Sequence, residues 1–221
     1  MRILRGPLFG KKWIKGSGVN GYWLGSYELP LQTKFVEAIK RGSVVYDIGA
    51  HVGFYTLLAS FLSGRDGLVY SFEPFPLNAN YLRKHTLLNG CKNVTVIEAA
   101  VGDTEGFSLF KEGESTFTGM LSPSGGSLSV RIVTLDHLLE EKKIAPPNVI
   151  KIDVEGAEFE VLRGAYKILK EFYPTILLAI HGKTSRQKCV TLLEELGYEV
   201  VPMFSGALVE NSDELIAKKY S

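Results

Sequence analysis

The sequence predicts one α/β domain built on a mostly parallel sheet. From residue 44 onward, short apolar runs alternate with helical patterns, and this β-α-β order is typical of parallel sheets with right-handed crossovers. The first run, VVYDIG, is apolar almost throughout, as expected for a strand covered by helices on both faces. A chain of 221 residues is long enough for one sizeable core, whereas two full domains would be cramped.

The first 28 residues precede this alternation and carry several basic side chains but no apolar stretch of the kind found in signal peptides. We expect a basic tail or edge segment over 1–28 and a single domain over 29–221. Contact with an anionic surface is the alternative role for the basic segment. Its basic residues are Arg2, Arg5, Lys11, Lys12 and Lys15.

The next elements follow from their end signals and apolar spacing. The first helix opens with a proline and closes at a glycine, and its buried face should carry Phe35, Val36 and Ile39. Proline ends the second strand, and a glycine stops the helix after it. The predicted ranges are a helix at 29–42, a strand at 44–49, a helix at 54–63, a strand at 67–74, a helix at 76–90 and a strand running into a turn at 93–103.

The alternation breaks between residues 106 and 135, where alternating residues flank a Gly/Ser-rich middle. We predict a β-hairpin insertion there, with its tip near 122–127. Thr134 or Asp136 should cap the helix that follows. The remaining predicted ranges are a helix at 134–143, a strand reaching a turn at 148–158, a helix at 158–172, a strand at 174–182, a helix at 185–197 and two closing strands at 198–204 and 214–220.

Composition excludes several classes of protein. A net charge of +1 gives no broad basic field, which argues against a nucleic-acid partner. Cys91 and Cys189 form no CxxC motif, so we expect neither a disulfide framework nor a zinc site, and a reducing, cytoplasmic location fits. The apolar runs are far shorter than a membrane span. A homodimer is compatible with the sequence.

Three predicted strands end in an acid: Asp47, Glu73 and Asp153. In an open parallel sheet, ligands bind beyond the carboxyl ends of the strands, where these side chains should meet. Three carboxylates do not suit a polyphosphate. Gly49 and Gly53 would let the backbone approach a ligand, but the spacing GAHVG lacks the third glycine of the dinucleotide fingerprint.

Glu73 follows Gly53 by 20 positions and could accept hydrogen bonds from both hydroxyls of an adenosine ribose. NAD enzymes use an acid in the same way, so an NAD-type oxidoreductase remains an alternative. A phosphate-free adenosine with a positive centre fits the acids better, because carboxylates stabilise a cation. S-adenosylmethionine, with its sulfonium, is such a cofactor. A tight turn that binds no ligand is a further alternative for the two glycines.

Several motifs taken in order resemble the FkbM family of S-adenosylmethionine-dependent methyltransferases. They are YDIGAHVGFYT, SFEPFPLNANYLRKHTLLNG, VTVIEAAVGD, VTLDHL and VIKIDVEGAEFEVLRGA, and the resemblance covers about residues 21 to 220. It implies the class I methyltransferase fold, with seven strands, mostly parallel and the last antiparallel, and helices on both faces. It also implies O-methylation of a hydroxyl on a small-molecule or glycan acceptor.

The resemblance implies roles for the first loop. Gly49, Ala50 and Gly53 would lie under the methionine part of S-adenosylmethionine. Asp47 would steady that loop or bind the cofactor amine.

The resemblance also implies roles for later acids. Glu73 would bind the ribose, with Asn78 nearby. Asp103 would face the adenine amino group. Asp153 and Glu155 would lie near the sulfonium and the acceptor.

An alcohol acceptor must lose a proton, and a base within reach accelerates that step. The candidates are His181, Glu155 and Asp153. A histidine titrates near neutral pH, which suits this role. His51 is a further candidate, although we expect its side chain to point to solvent.

One position departs from the family pattern. Related sequences often carry a carboxylate where this chain has Ala179. A non-catalytic cofactor-binding protein is therefore an alternative, and we expect no metal, even though Asp153, Glu155 and His181 are possible ligands. Nucleic-acid methylation is disfavoured by the charge. Tyr27 and Glu28, like the predicted hairpin, are candidates to close over the site.

Overall fold

The structure is a computed structural model, and it describes residues 1–112, 119–121, 128–204 and 206–220. The strands are β1 (Val44–Ile48), β2 (Leu68–Phe72), β3 (Val94–Ile97), β4 (Ala100–Val101), β5 (Gly106–Glu112), β6 (Gly119–Leu121), β7 (Leu128–Val133), β8 (Val149–Ile152), β9 (Thr175–Ala179), β10 (Tyr198–Pro202) and β11 (Glu214–Lys219). The helices are α1 (Asn20–Leu24), α2 (Leu29–Ala38), α3 (Phe54–Ser63), α4 (Pro76–Leu88), α5 (Leu135–Glu140), α6 (Glu158–Arg163), α7 (Tyr166–Phe172) and α8 (Lys183–Glu195).

The main sheet has seven strands in the order β10-β11-β9-β8-β1-β2-β3. All neighbouring pairs from β9 to β3 are parallel, and β11 runs antiparallel to both of its neighbours. Apolar side chains alternate between two cores along the strands. One core packs against α2 and α3, and the other packs against α5 to α8. The predicted sheet, including its antiparallel last strand and its helices on both faces, is confirmed.

The predicted hairpin at 106–135 is part of a second, four-stranded sheet in the order β4-β7-β5-β6. β5 pairs antiparallel with both β6 and β7. The predicted tip at 122–127 lies outside the described residues. The strand predicted to run into a turn over 93–103 is β3, and after that turn β4 joins the second sheet beside β7, a pairing that was not predicted.

Two predicted helices differ from their expected ranges. The first stops at Ala38, because Ile39 is already extended with φ −94° and ψ 126°. The predicted helix at 158–172 is two helices, α6 and α7, separated at Gly164. A Cβ at Gly164 would lie 1.9 Å from the carbonyl oxygen of Gly102, so the second sheet packs directly against the break.

The two candidate caps in the 134–143 helix serve different helices. The hydroxyl of Thr134 accepts from the backbone N–H of His137 and caps α5. Asp136 instead accepts from the backbone N–H groups of Lys167 and Ile168 in the first turn of α7. Satisfying these otherwise unpaired donors ties α5 to α7.

The N-terminal segment packs against the core, which favours an edge segment over a tail, the two alternatives expected for it. Ile3, Leu8 and Trp13 are buried. The Trp13 ring stacks on the His85 ring, with 3.8 Å between centroids, and the backbone N–H of Ile14 donates to His85 Nε2. No helix in the described part of the chain is long and apolar enough to cross a membrane.

Candidate functional site

A cavity of about 300 Å³ lies at the carboxyl ends of β1, β2 and β8. Its walls come from the loops after these strands and from the N-terminal segment around α1. Of the candidate residues named from the sequence, those that line it are Tyr27, Gly49, Ala50, His51, Glu73, Asn78, Asp153 and Glu155. Asp47, Gly53, Asp103 and His181 do not line it.

The glycines of the first loop are required by contacts inside the protein. Gly49 has φ +77°, and a Cβ there would lie 1.9 Å from the carbonyl oxygen of Asp153. Gly53 has φ +94°, and a Cβ there would lie 3.0 Å from Leu82 Cγ on α4. We predicted that both glycines admit a ligand, but only Gly49 lies on the cavity wall, and its first effect is to let two loops approach each other.

Glu73 lies on the cavity wall and is only 5% exposed. Its Oε2 accepts from the backbone N–H of His51 at 2.8 Å. Its Oε1 accepts from the backbone N–H of Phe75 at 2.9 Å and from Asn78 Nδ2 at 3.4 Å. Burial raises the pKa of Glu73 to about 7, although these hydrogen bonds oppose the shift. A carboxylate has about four acceptor positions, so capacity for a ligand remains.

His51 faces the cavity, and the expectation that it points to solvent was wrong. Its Nδ1 lies 3.1 Å from the hydroxyl of Tyr22. Its backbone is left-handed with φ 53°, which is uncommon for a residue other than glycine. Strain of this kind often accompanies functional sites, and here the hydrogen bond to Glu73 holds the loop.

Sequence reasoning missed Lys151 on β8, which is only 3% exposed. Its Nζ lies 3.3 Å from Asp153 Oδ2, 3.6 Å from Asp47 Oδ1 and 5.2 Å from the ring centroid of Tyr55. Burial alone would lower the pKa of Lys151, but Asp153 and Asp47 raise it above its ordinary value. The strand VIKI contained a signal for this charge cluster, because a charged side chain in a strand covered on both faces needs a partner.

Asp47 is fully buried beneath the loop and does not line the cavity. Its Oδ2 accepts from Thr56 Oγ1 at 2.6 Å. Burial raises the pKa of Asp47, whereas Lys151 and Thr56 oppose the rise. Of the two roles implied for Asp47, this position favours steadying the loop over contacting a cofactor amine.

Asp103 lies away from the cavity and forms an ion pair with Arg163 at 3.0 Å. The adjacent part of the wall is apolar, made by Phe72 and Val101. The implied contact between Asp103 and an adenine amino group therefore has no support from the geometry. The apolar wall suits a flat aromatic ring better.

His181 links the end of β9 to the start of α6. Its Nδ1 lies 2.8 Å from Glu158 Oε1, and its Nε2 lies 3.7 Å from Glu155 Oε2. Burial alone would lower the pKa of His181, but Glu158 and Glu155 raise it. An imidazole that is already protonated cannot accept the acceptor's proton, so the raised pKa leaves less of His181 available as a general base. Sequence reasoning missed the buried Glu158, which also accepts from Gly156 N–H and from Ser185 Oγ.

The missing acid at Ala179 has a counterpart on the next strand. Ala179 pairs with Glu214 of β11, and directly paired residues present their side chains on the same face of a sheet. Partial burial and the charges of Glu28 and Asp153 raise the pKa of Glu214. Among the described residues, no group of three His, Cys, Asp or Glu side chains could hold a metal ion.

The two residues expected to close over the site border it. Tyr27 lines the cavity, and Glu28 accepts a hydrogen bond from the hydroxyl of Tyr55 at 3.0 Å. The ring of Tyr27 packs against that of Tyr22, with 4.4 Å between centroids. The N-terminal segment therefore supplies aromatic side chains to the cavity wall.

A family model described as the methyltransferase FkbM domain matches residues 47–200. The chain is 26% identical over 161 residues to the hexuronic acid methyltransferase AglP of Haloferax volcanii, covering 72% of this chain and 65% of the relative. It is 25% identical over 205 residues to the 31-O-demethyl-FK506 methyltransferase FkbM of Streptomyces tacrolimicus, covering 76% of this chain and 78% of the relative. The match thus spans just under two thirds of AglP.

Solved structures show the same fold. Methyltransferase FkbM from Methylobacillus flagellatus superposes with a TM-score of 0.58 at 17% identity, covering 85% of this chain and 50% of that chain. A Streptococcus mutans protein in complex with S-adenosylhomocysteine superposes with a TM-score of 0.57 at 13% identity, covering 87% and 99%. These similarities establish the class I methyltransferase fold.

Proposed function

The chain belongs to the FkbM methyltransferase family, and from that premise we propose that it transfers a methyl group from S-adenosylmethionine to a hydroxyl of a small molecule or a sugar. The observation that carries the cofactor assignment is Glu73, a buried carboxylate on the cavity wall with acceptor capacity to spare. The names of the two relatives, which act on a hexuronic acid and on an FK506 derivative, support the acceptor class.

The residues around the cavity fit this cofactor. Glu73 can accept from a ribose hydroxyl with its remaining acceptor position, and Phe72 with Val101 offers an apolar wall to the adenine. The aromatic wall around Tyr22 and Tyr27 suits a cation, because ring faces attract positive charge. When bound, S-adenosylmethionine supplies a methyl group on a cationic sulfur that departs as a neutral thioether.

The protein must orient the acceptor oxygen, exclude water and accept a proton. Orientation alone can lower a barrier by roughly 7–11 kcal/mol. Asp153 and Glu155 line the cavity and are the candidates best placed to take the hydroxyl proton. His181 lies outside the lining and holds its proton more tightly than an ordinary histidine, so its proposed role as the base is the weaker one.

The cofactor assignment is tested by calorimetric titration of S-adenosylmethionine at pH 8, where Glu73 is ionised. We expect Glu73→Ala to weaken binding by roughly tenfold or more, because a hydrogen bond to a charged group contributes about 1.5–3 kcal/mol. Glu37→Ala, an exposed acid on α2, should bind as the wild type does. A wild type that binds NADH but no S-adenosylmethionine would instead favour the oxidoreductase alternative.

The assignment of activity is tested by following S-adenosylhomocysteine with a panel of sugar and macrolide alcohols. We expect its release to depend on the acceptor. Cofactor binding without release for any acceptor would favour the non-catalytic alternative that Ala179 motivates.

A further inference from the structure

Three charged side chains lie in a row beneath the cavity: Asp47, Lys151 and Asp153. Asp47 and Lys151 are direct partners on the adjacent parallel strands β1 and β8, so they point to the same face. Asp153 follows Lys151 by two positions and shares that face. The Lys151 Nζ lies between the two carboxylates, 3.6 Å from Asp47 Oδ1 and 3.3 Å from Asp153 Oδ2.

The three groups do not share access to the cavity. Lys151 and Asp153 line it, whereas Asp47 does not. Asp47 Oδ1 accepts no hydrogen bond among the described residues, so the Lys151 ammonium is its main counterion. The Lys151 ammonium at 3.6 Å and the hydrogen bond that Thr56 Oγ1 donates to Asp47 Oδ2 at 2.6 Å both favour the ionised carboxylate and oppose the effect of burial on its pKa.

One ammonium between two carboxylates leaves one negative charge in excess. Asp47, which does not line the cavity, already pairs with the Lys151 ammonium. The excess negative charge therefore faces the cavity at Asp153. Lys151 cannot move to neutralise Asp153 alone without leaving Asp47 as an unpaired buried charge, which is strongly unfavourable.

We propose that the Asp47–Lys151–Asp153 triad makes the protein prefer the cationic S-adenosylmethionine over the neutral product S-adenosylhomocysteine, with Asp47 and Lys151 as positioning residues that fix the excess charge at Asp153. This inference rests on the proposed function, since it concerns the same cavity. It assigns a role to Lys151, and it gives Asp47 an effect on a ligand that it does not touch.

The two ligands differ by one methyl group and one positive charge, so the ratio of their dissociation constants reports the electrostatic potential at the sulfur. Glu28, Glu73 and Glu155 also lie at or beside the cavity. Because Asp47 contributes to the raised pKa of Glu73, the titrations are made at pH 8, where Glu73 is ionised and the background from these three acids stays constant across variants of the triad. The ratio therefore isolates the triad from general effects on cofactor binding.

The test is calorimetric titration of both ligands against the wild type, Asp153→Asn and Asp47→Asn. Each variant turns the triad into a neutral pair, so each should shift the ratio towards S-adenosylhomocysteine by roughly threefold or more, given a unit charge removed within about 10 Å of the ligand. The control is Asp66→Asn, an exposed loop acid, which should leave the ratio unchanged.

Asp47→Asn is the decisive variant, because a purely structural role for Asp47 would weaken both ligands equally. Both variants binding the two ligands with the wild-type ratio would overturn the inference while leaving the proposed function intact. A wild type that binds neither ligand would contradict both. Should Asp47→Asn not fold, Asp153→Asn and the charge-conserving Lys151→Arg decide: only the first should shift the ratio.

Discussion

Single residues fix the shape of the cavity floor, and Gly49 is the clearest case. Its left-handed backbone is strained for any residue with a side chain. In addition, an added Cβ would lie only 1.9 Å from the carbonyl oxygen of Asp153. We expect Gly49→Ala to lower the free energy of unfolding by about 2–5 kcal/mol, from backbone strain and overpacking together. Urea denaturation measures the loss.

The matched control is Gly90, which has a similar φ of +66° but no atom within 4 Å of an added Cβ. Gly90→Ala isolates the backbone contribution and should lower stability by about 1 kcal/mol. Equal losses for the two variants would mean that the contact with Asp153 does not matter.

At the residue scale, acids at strand ends could be predicted, but their partners could not. Glu73 and Asp153 follow from the rule that ligands meet the carboxyl ends of parallel strands, and both line the cavity. Lys151 lies on a neighbouring strand, far from Asp47 along the chain, and only the sheet register brings the two together. Glu158 on α6 and His181 after β9 are also distant along the chain, and only the packing of α6 beside the sheet brings them together.

Among the elements, the N-terminal segment makes the structural contribution that was hardest to predict from the sequence. It supplies the Trp13–His85 stack and one wall of the cavity. We expect Trp13→Ala to destabilise the protein by about 3–5 kcal/mol, the usual loss for a buried tryptophan. Phe9→Ala, at a site 71% exposed, should change stability by less than about 0.5 kcal/mol.

Thermal or urea unfolding followed by circular dichroism distinguishes these two variants. If Trp13→Ala were as mild as Phe9→Ala, the segment would contribute little to the stability of the fold. Basic composition made this segment resemble a tail, because its apolar residues are too widely spaced to form a regular pattern.

Element boundaries were predictable where a local signal ended the element. α3 matches its predicted range, and α4 ends near Gly90 as expected. The break between α6 and α7 is marked only by Gly164, and a single glycine inside a helical pattern is often tolerated. The break arises from packing of Gly164 against Gly102, a contact between distant parts of the chain.

For the whole molecule, the buried Glu73 should make stability depend on pH. Its pKa is about 7 in the folded protein against 4.5 when unfolded, so the folded state binds the extra proton between these values. The stabilisation is present below pH 4.5 and is lost as the pH rises through 7, on the order of 3 kcal/mol in total.

Urea denaturation of the wild type and Glu73→Gln at pH 5 and pH 8 measures this effect. The variant cannot titrate at position 73, so it should gain stability relative to the wild type on going to pH 8. A constant difference between the two proteins would show that Glu73 titrates normally in the folded state.

The parallel topology of the whole sheet was predictable because helical and strand periods alternate regularly along the chain. Only part of the second sheet was predictable from the sequence. The alternating pattern of β5 and β7 indicates strands, but β4 has only two residues and joins them across a long gap in sequence. So short an element carries no periodic signal.

The pairing of Ala179 with Glu214 bears on how sequences of this kind are classified. A motif is read along one strand at a time, and position 179 then lacks the acid expected there. The pairing of β9 with β11 places Glu214 beside position 179, on the same face of the sheet. Comparisons of homologues should therefore tabulate positions 179 and 214 jointly, since an exchange of the acid between them would leave the local charge unaltered while changing both motifs.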